Sequence, residues 1–262
     1  MASINFATKD RIATNELDRA DKKNAITADM YRAMADALAA AESDAGVRVV
    51  LIHGKTDCFT AGNDLKDFLE KPPQGDASPV FQFLQRISTA AKPIVAAVGG
   101  PAVGIGTTML LHCDFVYAAP NARFQLPFVP LGLVPEAGSS LLLPMLAGYQ
   151  RAAELLMLGR PFTAEKALAA GIVTEIVPDD QLLAHALEVA AALAALPPAS
   201  LRQQRRSTRS GSSSGSRGTR CGGGSPCAGG TCRCGSSRPW CERGSARLPR
   251  RSAPGRCRRH RR

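Results

Sequence analysis

Apolar residues along the first 200 positions follow distinct spacings, and each spacing predicts a different element. Residues 11–17 alternate between apolar and polar side chains, which predicts a half-buried strand. Residues 47–52 and 94–98 are almost continuously apolar, and such runs are typical of strands in a sheet that is covered on both faces. The pattern therefore predicts an α/β fold with a largely buried sheet.

Helical spacing is clearest between the first two of these strands. One apolar face recurs there every three or four residues and is formed by Met30, Met34, Leu38 and Ala41. We expect Thr27 to cap this helix and Gly46 to end it. Further helices are predicted over residues 151–158, 163–170 and 179–196, where two prolines end the run.

Charge is distributed unevenly along the 262 residues, which suffice for one large α/β domain or two small ones. Residues 205–262 contain 16 arginines, no lysine and one acid, Glu242, so they carry +15, whereas residues 1–204 carry −4. The sequence shows neither a signal peptide nor an apolar run of transmembrane length. Only Cys58 and Cys113 lie in residues 1–204, so we expect a cytoplasmic protein of a reducing compartment.

A glycine-rich turn follows the strand predicted over residues 94–98. Gly104 and Gly106 allow positive φ angles, and the helix predicted over residues 107–112 begins with N–H groups that attract an anionic oxygen. A Walker loop is excluded because no Gly-Lys-Ser/Thr follows, and Pro101 weakens the dinucleotide fingerprint. The turn is a candidate oxyanion or phosphate site, and a tight connection that binds nothing is an equal alternative.

A second turn, residues 131–140, contains one carboxylate, Glu136, in an otherwise apolar stretch. Such a carboxylate either interacts with the start of the next helix or is a buried base with a raised pKa. Spacing alone favours the helix-start interpretation.

A third small-residue turn, within residues 58–68, follows the strand predicted over residues 47–52. The carboxyl ends of neighbouring strands meet at one edge of an open α/β sheet, and ligands bind there. Two backbone N–H groups from separate turns at such an edge are what an oxyanion hole requires. Lys22 and Lys23 offer positive charge to an anionic part of the same ligand, although a solvated loop is the commoner place for a lysine pair.

Six segments in a fixed order together resemble the enoyl-CoA hydratase/isomerase family, the crotonase superfamily. They are residues 17–25, 59–65, 92–106, 113–114, 131–135 and 171–177. The resemblance covers residues 1–204 and implies an α/β fold built as a spiral of ββα units, with an acyl-CoA thioester as substrate. Coenzyme A is then part of the substrate, and no separate cofactor and no metal are expected.

The resemblance also implies roles for single residues. The backbone N–H groups of Asn63 and Ile105 are expected to hold the thioester carbonyl oxygen. The residues expected to line the substrate site are Lys22, Lys23, Ala61, Gly62, Asp64, Leu65, Gly104, Phe128 and Leu131.

Catalytic acids distinguish the members of this family. Hydratases that resemble the chain carry glutamates at the positions of Thr108 and Phe128, and neither of these residues can activate water. Glu136 instead matches the single glutamate of the Δ3,Δ2-enoyl-CoA isomerases, which implies a 1,3-proton shift with oxyanion stabilisation. An apolar wall of Leu126, Phe128 and Leu131 is expected to raise the pKa of Glu136 by desolvation.

Two other functions stay open on the sequence. Glu136 could activate water in an enoyl-CoA hydratase that lacks the usual second acid. In a different class, the chain binds acyl-CoA, or nucleic acid through its arginines, without catalysing a reaction. Nucleic acid is the less favoured ligand because the arginine-rich segment lacks interleaved aromatic residues.

Residues 205–262 differ abruptly in composition from the rest of the chain. They include 11 serines, 11 glycines and 6 cysteines but one leucine and no Ile, Val, Met or Phe, so we predict a disordered tail after a catalytic domain of residues 1–204. A shifted reading frame is the simplest explanation, and the cysteine spacing does not fit a zinc site. The resemblance implies a trimer or hexamer built through helices in this region. We therefore expect weakened assembly and an exposed apolar patch.

Overall fold

Nine strands are present in the computed structural model, which describes residues 3–54, 58–70 and 72–211 and, for residues 210 and 211, the backbone only. The strands are β1 (Ile4–Lys9), β2 (Ile12–Leu17), β3 (Val49–Gly54), β4 (Ile94–Val98), β5 (Pro101–Val103), β6 (Phe115–Ala118), β7 (Arg123–Gln125), β8 (Phe162–Thr163) and β9 (Glu175–Ile176). The larger sheet has the order β1-β2-β3-β4-β6-β9, and the smaller has the order β5-β7-β8. Within the larger sheet, β1 and β2 pair antiparallel and the other neighbours pair parallel.

In the same ranges, nine α-helices surround the sheets. They are α1 (Ala28–Ser43), α2 (Leu65–Glu70), α3 (Pro79–Thr89), α4 (Ile105–Thr108), α5 (Ser139–Ala147), α6 (Tyr149–Leu158), α7 (Ala164–Ala169), α8 (Leu182–Ala195) and α9 (Pro198–Gly211). Single 3-10 turns cover Ala20–Lys22, Met109–His112 and Val129–Leu131. The helix predicted over residues 107–112 starts two residues earlier, at Ile105, and tightens to 3-10 geometry at Met109.

Side chains alternate across the larger sheet and fill a core on each face. In β3, Val50 and Ile52 belong to the main core with α1 and α3, whereas Val49 and Leu51 belong to a second core with α8. β4 divides its side chains between the two cores in the same way. This two-sided burial explains the continuous apolar runs and confirms that the sheet is covered on both faces.

Successive segments of the chain contribute strands to both sheets. β4 leads directly into β5, and β6 leads into β7, so that a strand of the larger sheet is followed each time by one of the smaller sheet. Helices follow both pairs, α4 after β5 and α5 after β7. The predicted α/β spiral of ββα units is therefore the observed architecture. Its three-residue strands are too short to be found from periodicity.

α9 continues seven residues beyond the boundary predicted at residue 204. Arg205 is only 6% exposed, and its Nε donates a hydrogen bond to Oδ2 of Asp114 at 2.7 Å. Its guanidinium also donates to the carbonyl oxygens of Ala90 and His112. These contacts fix the start of the arginine-rich segment to the core. The predictions of disorder, a shifted reading frame and no zinc site concern mainly residues 212–262, which lie outside the described residues.

α5 and α6 expose a row of large apolar side chains. The row consists of Leu141, Met145, Leu146, Tyr149, Met157 and Leu158, each between 44% and 68% exposed. Large exposed apolar side chains of this kind are compatible with the expected apolar patch. Both that patch, as the surface left by absent C-terminal helices, and weakened assembly stay predictions.

Neither a membrane-spanning helix nor a metal-binding cluster stands out in the part of the chain that the structure describes. No single described helix has the length and apolarity to cross a membrane; α8 and residues 198–209 reach that threshold only together, with a bend of 111° between them. No three His, Cys, Asp or Glu side chains of the described residues are grouped as metal ligands.

Asn24 joins the loop before α1 to the turn after β3. Its buried Nδ2 group donates to the carbonyl oxygens of Cys58 at 2.7 Å and Phe59 at 3.2 Å, and its Oδ1 accepts from the N–H of Arg19 at 2.7 Å. Its φ of 53° lies in the left-handed region, which asparagine tolerates better than most residues. One side chain therefore fixes the relative position of two loops.

We expect Asn24→Ala to lower the free energy of unfolding by about 2–3 kcal/mol, because buried carbonyl groups lose their donor. Asn5→Ala is the matched control, since the exposed Asn5 amide also bonds two residues, Glu16 and Asp18. The control should lose less than about 0.5 kcal/mol. Urea denaturation of both variants measures the difference, and equal losses would contradict the role of Asn24.

Candidate active site

Backbone hydrogen bonds hold two of the predicted turns side by side. The N–H of Thr60 donates to the carbonyl of Pro101 at 2.9 Å, and the N–H of Val103 donates to the carbonyl of Thr60 at 3.0 Å. A Cβ on Gly62 would lie 2.9 Å from the carbonyl oxygen of Val103, and one on Gly106 would lie 2.5 Å from Cγ2 of Thr60. Glycine is therefore required at both positions for the turns to meet.

Asn63 and Ile105 lie on these adjoining turns. Ile26 hydrogen-bonds to the backbone on either side of Asn63, so the N–H of Asn63 points away from Ile26, as alternate groups do in an extended chain. Gly104, with φ 56°, precedes α4, and Ile105 is the first residue of that helix, where N–H groups lack intrahelical acceptors. Neither N–H has an acceptor among the residues that the structure describes. Both donors are thus available to a ligand.

Glu136 lies beside the helix that Ile105 begins. Oγ1 of Thr108 donates to Oε1 of Glu136 at 2.5 Å. Burial raises the pKa of Glu136 from its ordinary value of 4.5 to about 7, and the hydrogen bond from Thr108 opposes part of that rise. α5 begins only at Ser139, and the carboxylate bonds to Thr108 rather than to that helix. The geometry therefore fits the buried-base interpretation better than the helix-start interpretation.

Tyr31 connects the two sides of this site. It lies on α1, is 2% exposed, and donates a hydrogen bond from its hydroxyl to Oδ1 of Asn63. Burial and, to a smaller extent, the charge of Glu136 raise the pKa of Tyr31 well above its usual value. The phenol therefore stays protonated, fixes the side chain of Asn63, and lies within electrostatic range of the carboxylate.

Lys22 and Lys23 lie on the exposed 3-10 turn next to these loops. The N–H of Ala61 donates to the carbonyl of Lys23 at 2.9 Å, and the thiol of Cys58 bonds to the same oxygen at 3.3 Å. The lysine backbone is therefore part of the site's scaffold. Both side chains are exposed, which is compatible with binding an anion and with a solvated loop.

Asp64 has a structural role that the sequence did not indicate. Its Oδ2 accepts from Arg19 at 2.7 Å, and its Oδ1 accepts from the N–H groups of Lys66 and Asp67 at 3.1 and 3.2 Å. The hydrogen bond from Arg19 and those from the backbone lower the pKa of Asp64. The carboxylate therefore caps α2 and anchors it to Arg19. Leu65, which follows, is 64% exposed at the edge of the site.

The three residues of the predicted apolar wall differ in burial. Leu126 and Phe128 are 0% and 6% exposed within the main core. Leu131 is 55% exposed because it ends a short 3-10 turn at the surface. An exposed side chain cannot keep water from a carboxylate, so desolvation of Glu136 must come from other groups than Leu131.

Partners of the predicted site residues escaped the sequence analysis. The sequence marks Thr108 only as a position that lacks the hydratase acid, and it indicates no site role for Tyr31 or Arg19. Their hydrogen bonds to Glu136, Asn63 and Asp64 join residues 28, 32 and 45 positions apart. No local spacing reveals such pairs, although a tyrosine on the apolar face of α1 was an available signal.

Comparison with known families and proteins agrees with this geometry. The family model described as enoyl-CoA hydratase/isomerase matches residues 7–219, which contain both adjoining turns and Glu136. The chain belongs to this family. Its crotonase fold and its likeness to the isomerase-like subgroup are thereby confirmed. Enoyl-CoA hydratase/isomerase proteins are enzymes.

Curated relatives in the enoyl-CoA hydratase/isomerase family carry different names. Human "Enoyl-CoA delta isomerase 2" is 38% identical over 202 residues, which are 74% of this chain and 51% of that protein. Escherichia coli "2,3-dehydroadipyl-CoA hydratase" is 32% identical over 212 residues, 80% of this chain and 82% of that protein. The chain thus spans about half the length of the human protein that it matches.

Solved structures with high similarity share the fold of this chain. Pseudomonas aeruginosa OdaA is 48% identical, with a TM-score of 0.78 over 80% of this chain and 86% of that chain. An enoyl-CoA hydratase/isomerase from Pseudoalteromonas atlantica is 44% identical, with a TM-score of 0.77 over 80% and 83%. Both structural matches cover 80% of this chain.

Glu136 should make stability depend on pH. Its proton is held up to about pH 7 in the folded state but only to about 4.5 when unfolded, so the free energy of unfolding falls as pH rises through that window. Glutamine has no such proton, so its stability does not fall in this window. The free energy of unfolding of Glu136→Gln, minus that of the parent protein, should therefore increase by about 2–3 kcal/mol between about pH 5 and about pH 8.

Urea denaturation of both proteins at the two pH values measures this difference. Glu188→Gln, which changes an exposed carboxylate on α8, serves as the control and should show no such growth. A stability difference that shrinks with rising pH would show that the carboxylate is not desolvated.

Proposed function

We propose that the protein is a Δ3,Δ2-enoyl-CoA isomerase with Glu136 as its single base. The observation that carries the proposal is a partly buried carboxylate, with a pKa raised to about 7 by desolvation, hydrogen-bonded to the helix that begins at Ile105. A base with a pKa near neutrality combines a useful charged fraction at neutral pH with enough basicity to take a proton from carbon.

The first step is removal of a proton from C2 of a 3-enoyl thioester by the Glu136 carboxylate. The C2–H electrons form a C1–C2 double bond, and negative charge develops on the thioester oxygen. The N–H groups of Asn63 and Ile105 stabilise this oxygen of the dienolate, since both donors lack acceptors among the described residues. Tyr31 supports this step by holding the Asn63 side chain.

In the second step, the protonated Glu136 returns its proton to C4. The C3–C4 double-bond electrons take up the proton at C4, the C1–C2 double-bond electrons move to form the C2–C3 double bond, and the oxygen's negative charge restores the carbonyl at C1. One group therefore serves both transfers, and no water is added. Thr108 keeps one carboxylate oxygen in place while the other remains available to C2 and C4.

The remaining roles complete the proposal. The acyl-CoA would lie along the edge formed by the loop of Lys22 and Lys23 and by Ala61, and the acyl chain would lie near Phe128. Coenzyme A is part of the substrate, so no separate cofactor is needed. The names of the relatives support a role in fatty-acid metabolism, and a cytoplasmic homo-oligomer, trimer or hexamer, is proposed by analogy with the family.

Hydration of a 2-enoyl-CoA is the second candidate. It is favoured by the Escherichia coli hydratase, which matches this chain over 82% of its own length, more than the human isomerase does. In that reaction Glu136 would activate water for attack at C3. Thr108 and Phe128, at the positions of the hydratase acids, argue against it, because neither side chain can supply the second acid-base group.

Separate incubations with a 3-enoyl-CoA and a 2-enoyl-CoA distinguish these reactions. We expect turnover of the 3-enoyl-CoA only, and a loss of about 10²- to 10⁴-fold in Glu136→Gln, because general-base catalysis contributes that much. Glu188→Gln should keep full activity. Hydration without isomerisation would favour the second candidate, and unchanged turnover in Glu136→Gln would exclude both.

The pH dependence of kcat/KM tests the role of Glu136 independently of the substrate comparison. Only the carboxylate form of Glu136 accepts a proton, so kcat/KM should rise with pH and level off above about 7. Thr108→Val should move the midpoint upward by about one unit, because the hydroxyl stabilises the charged form. A midpoint near the ordinary glutamate value of 4.5 would contradict a buried base.

A further inference from the structure

His112 contacts the turn that bears Glu136. It lies four residues after Thr108, at the end of the 3-10 turn that continues α4, and its Nε2 is 2.8 Å from the carbonyl oxygen of Ala137. A carbonyl can only accept a hydrogen bond, so Nε2 carries the proton. Thr108 therefore holds the carboxylate of Glu136, and His112 holds the backbone of the next residue, Ala137.

Ala137 needs such support because of its backbone conformation. Its φ of 55° is unusual for a residue with a side chain and persists only where the surroundings hold it. On the other side of the turn, the N–H and the hydroxyl of Ser139 both donate to the carbonyl of Glu136, at 3.0 and 2.6 Å. The orientation of the carboxylate thus depends on a strained turn fastened at both ends.

The second ring nitrogen of His112 faces α9. Nη2 of Arg209 lies 3.4 Å from Nδ1 of His112 and donates to the carbonyl of the same residue at 3.1 Å. Arg205 donates to that carbonyl as well, at 3.4 Å. Burial lowers the pKa of His112, the hydrogen bond to the carbonyl of Ala137 partly opposes this, and the charges of Arg209 and Arg205 lower it further. With the proton on Nε2, the lone pair of the neutral ring lies on Nδ1 and faces Arg209.

We propose that His112 is a positioning residue for Glu136 and that Arg209 of α9 fixes its tautomer and orientation. This inference rests on the proposed role of Glu136 and extends it to a helix outside the site. The contacts run from Arg209 through His112 and Ala137 to Glu136. A change in α9 therefore alters the carboxylate without touching the substrate.

The kinetic test replaces His112 by leucine and by glutamine. His112→Leu removes the donor to Ala137 and should lower kcat about tenfold with KM within about twofold, since small misplacements of a reacting group are costly. His112→Gln keeps an amide donor near the position of Nε2 and should restore most of kcat. An equal decrease of kcat in both variants, or a change in KM with kcat unaltered, would overturn the proposal.

An infrared titration of the Glu136 carboxyl band, identified by subtracting Glu136→Gln, makes the test independent of turnover. Thr108→Val should raise the pKa of Glu136 by about one unit in the parent protein and by much less in His112→Leu, because the turn has already left Thr108. Equal rises in both backgrounds would show that His112 does not hold the turn. The infrared titration measures this pKa shift whether or not the protein is an isomerase.

Arg209→Met supplies a second variant that leaves the core intact if His112→Leu does not fold. It should lower kcat about threefold and reduce the Thr108→Val shift in the infrared titration. The matched control is Arg206→Met on the exposed side of α9, which should change neither quantity. Identical behaviour of the two arginine variants would overturn the part assigned to α9.

Discussion

The close contact between the turn after β3 and the segment where β5 leads into α4 is the constraint on which the proposed site depends. Gly62 lies against the carbonyl of Val103, and Gly106 lies against Thr60, with no space for a Cβ at either position. This contact sets where α4 begins, and α4 in turn carries Thr108 to the carboxylate of Glu136. The two amides and the proposed base are therefore positioned by one packing arrangement rather than by three independent loops.

Partial burial of Glu136 has opposite effects on its proposed role as a base and on the stability of the fold. The desolvation that raises its pKa to about 7 makes it a suitable base for a carbon acid, and the same desolvation weakens the folded state above the ordinary pKa of the group. Neighbouring groups compensate by fixing loops through buried hydrogen bonds, as Asn24 does with Cys58 and Phe59. The left-handed φ of Ala137 is a second local cost, which the surrounding hydrogen bonds must hold.

Local pattern predicted the elements whose burial is encoded in their own residues. The continuous apolar runs of β3 and β4 indicated a sheet covered on both faces, and small-residue turns indicated two segments that the structure places side by side. Patterns could not indicate the partner of Glu136, the exposure of Leu131, or the capping role of Asp64, because each depends on residues far away in the chain or on surface curvature. Composition likewise placed a boundary at residue 204, whereas Arg205 pairs with Asp114 in the core.

The position of α9 late in the chain affects when its contacts can form during synthesis. Its arginines reach the carbonyl of His112 from 93 and 97 positions further along the chain. A chain leaving the ribosome can assemble both sheets and α8 before Arg205 and Arg209 emerge, since synthesis proceeds from the N-terminus. Contacts at the centre of the sequence are thus completed by α9, the last of the described helices to be synthesised. A product of interrupted translation would contain every residue of the Glu136 turn and still lack its final support.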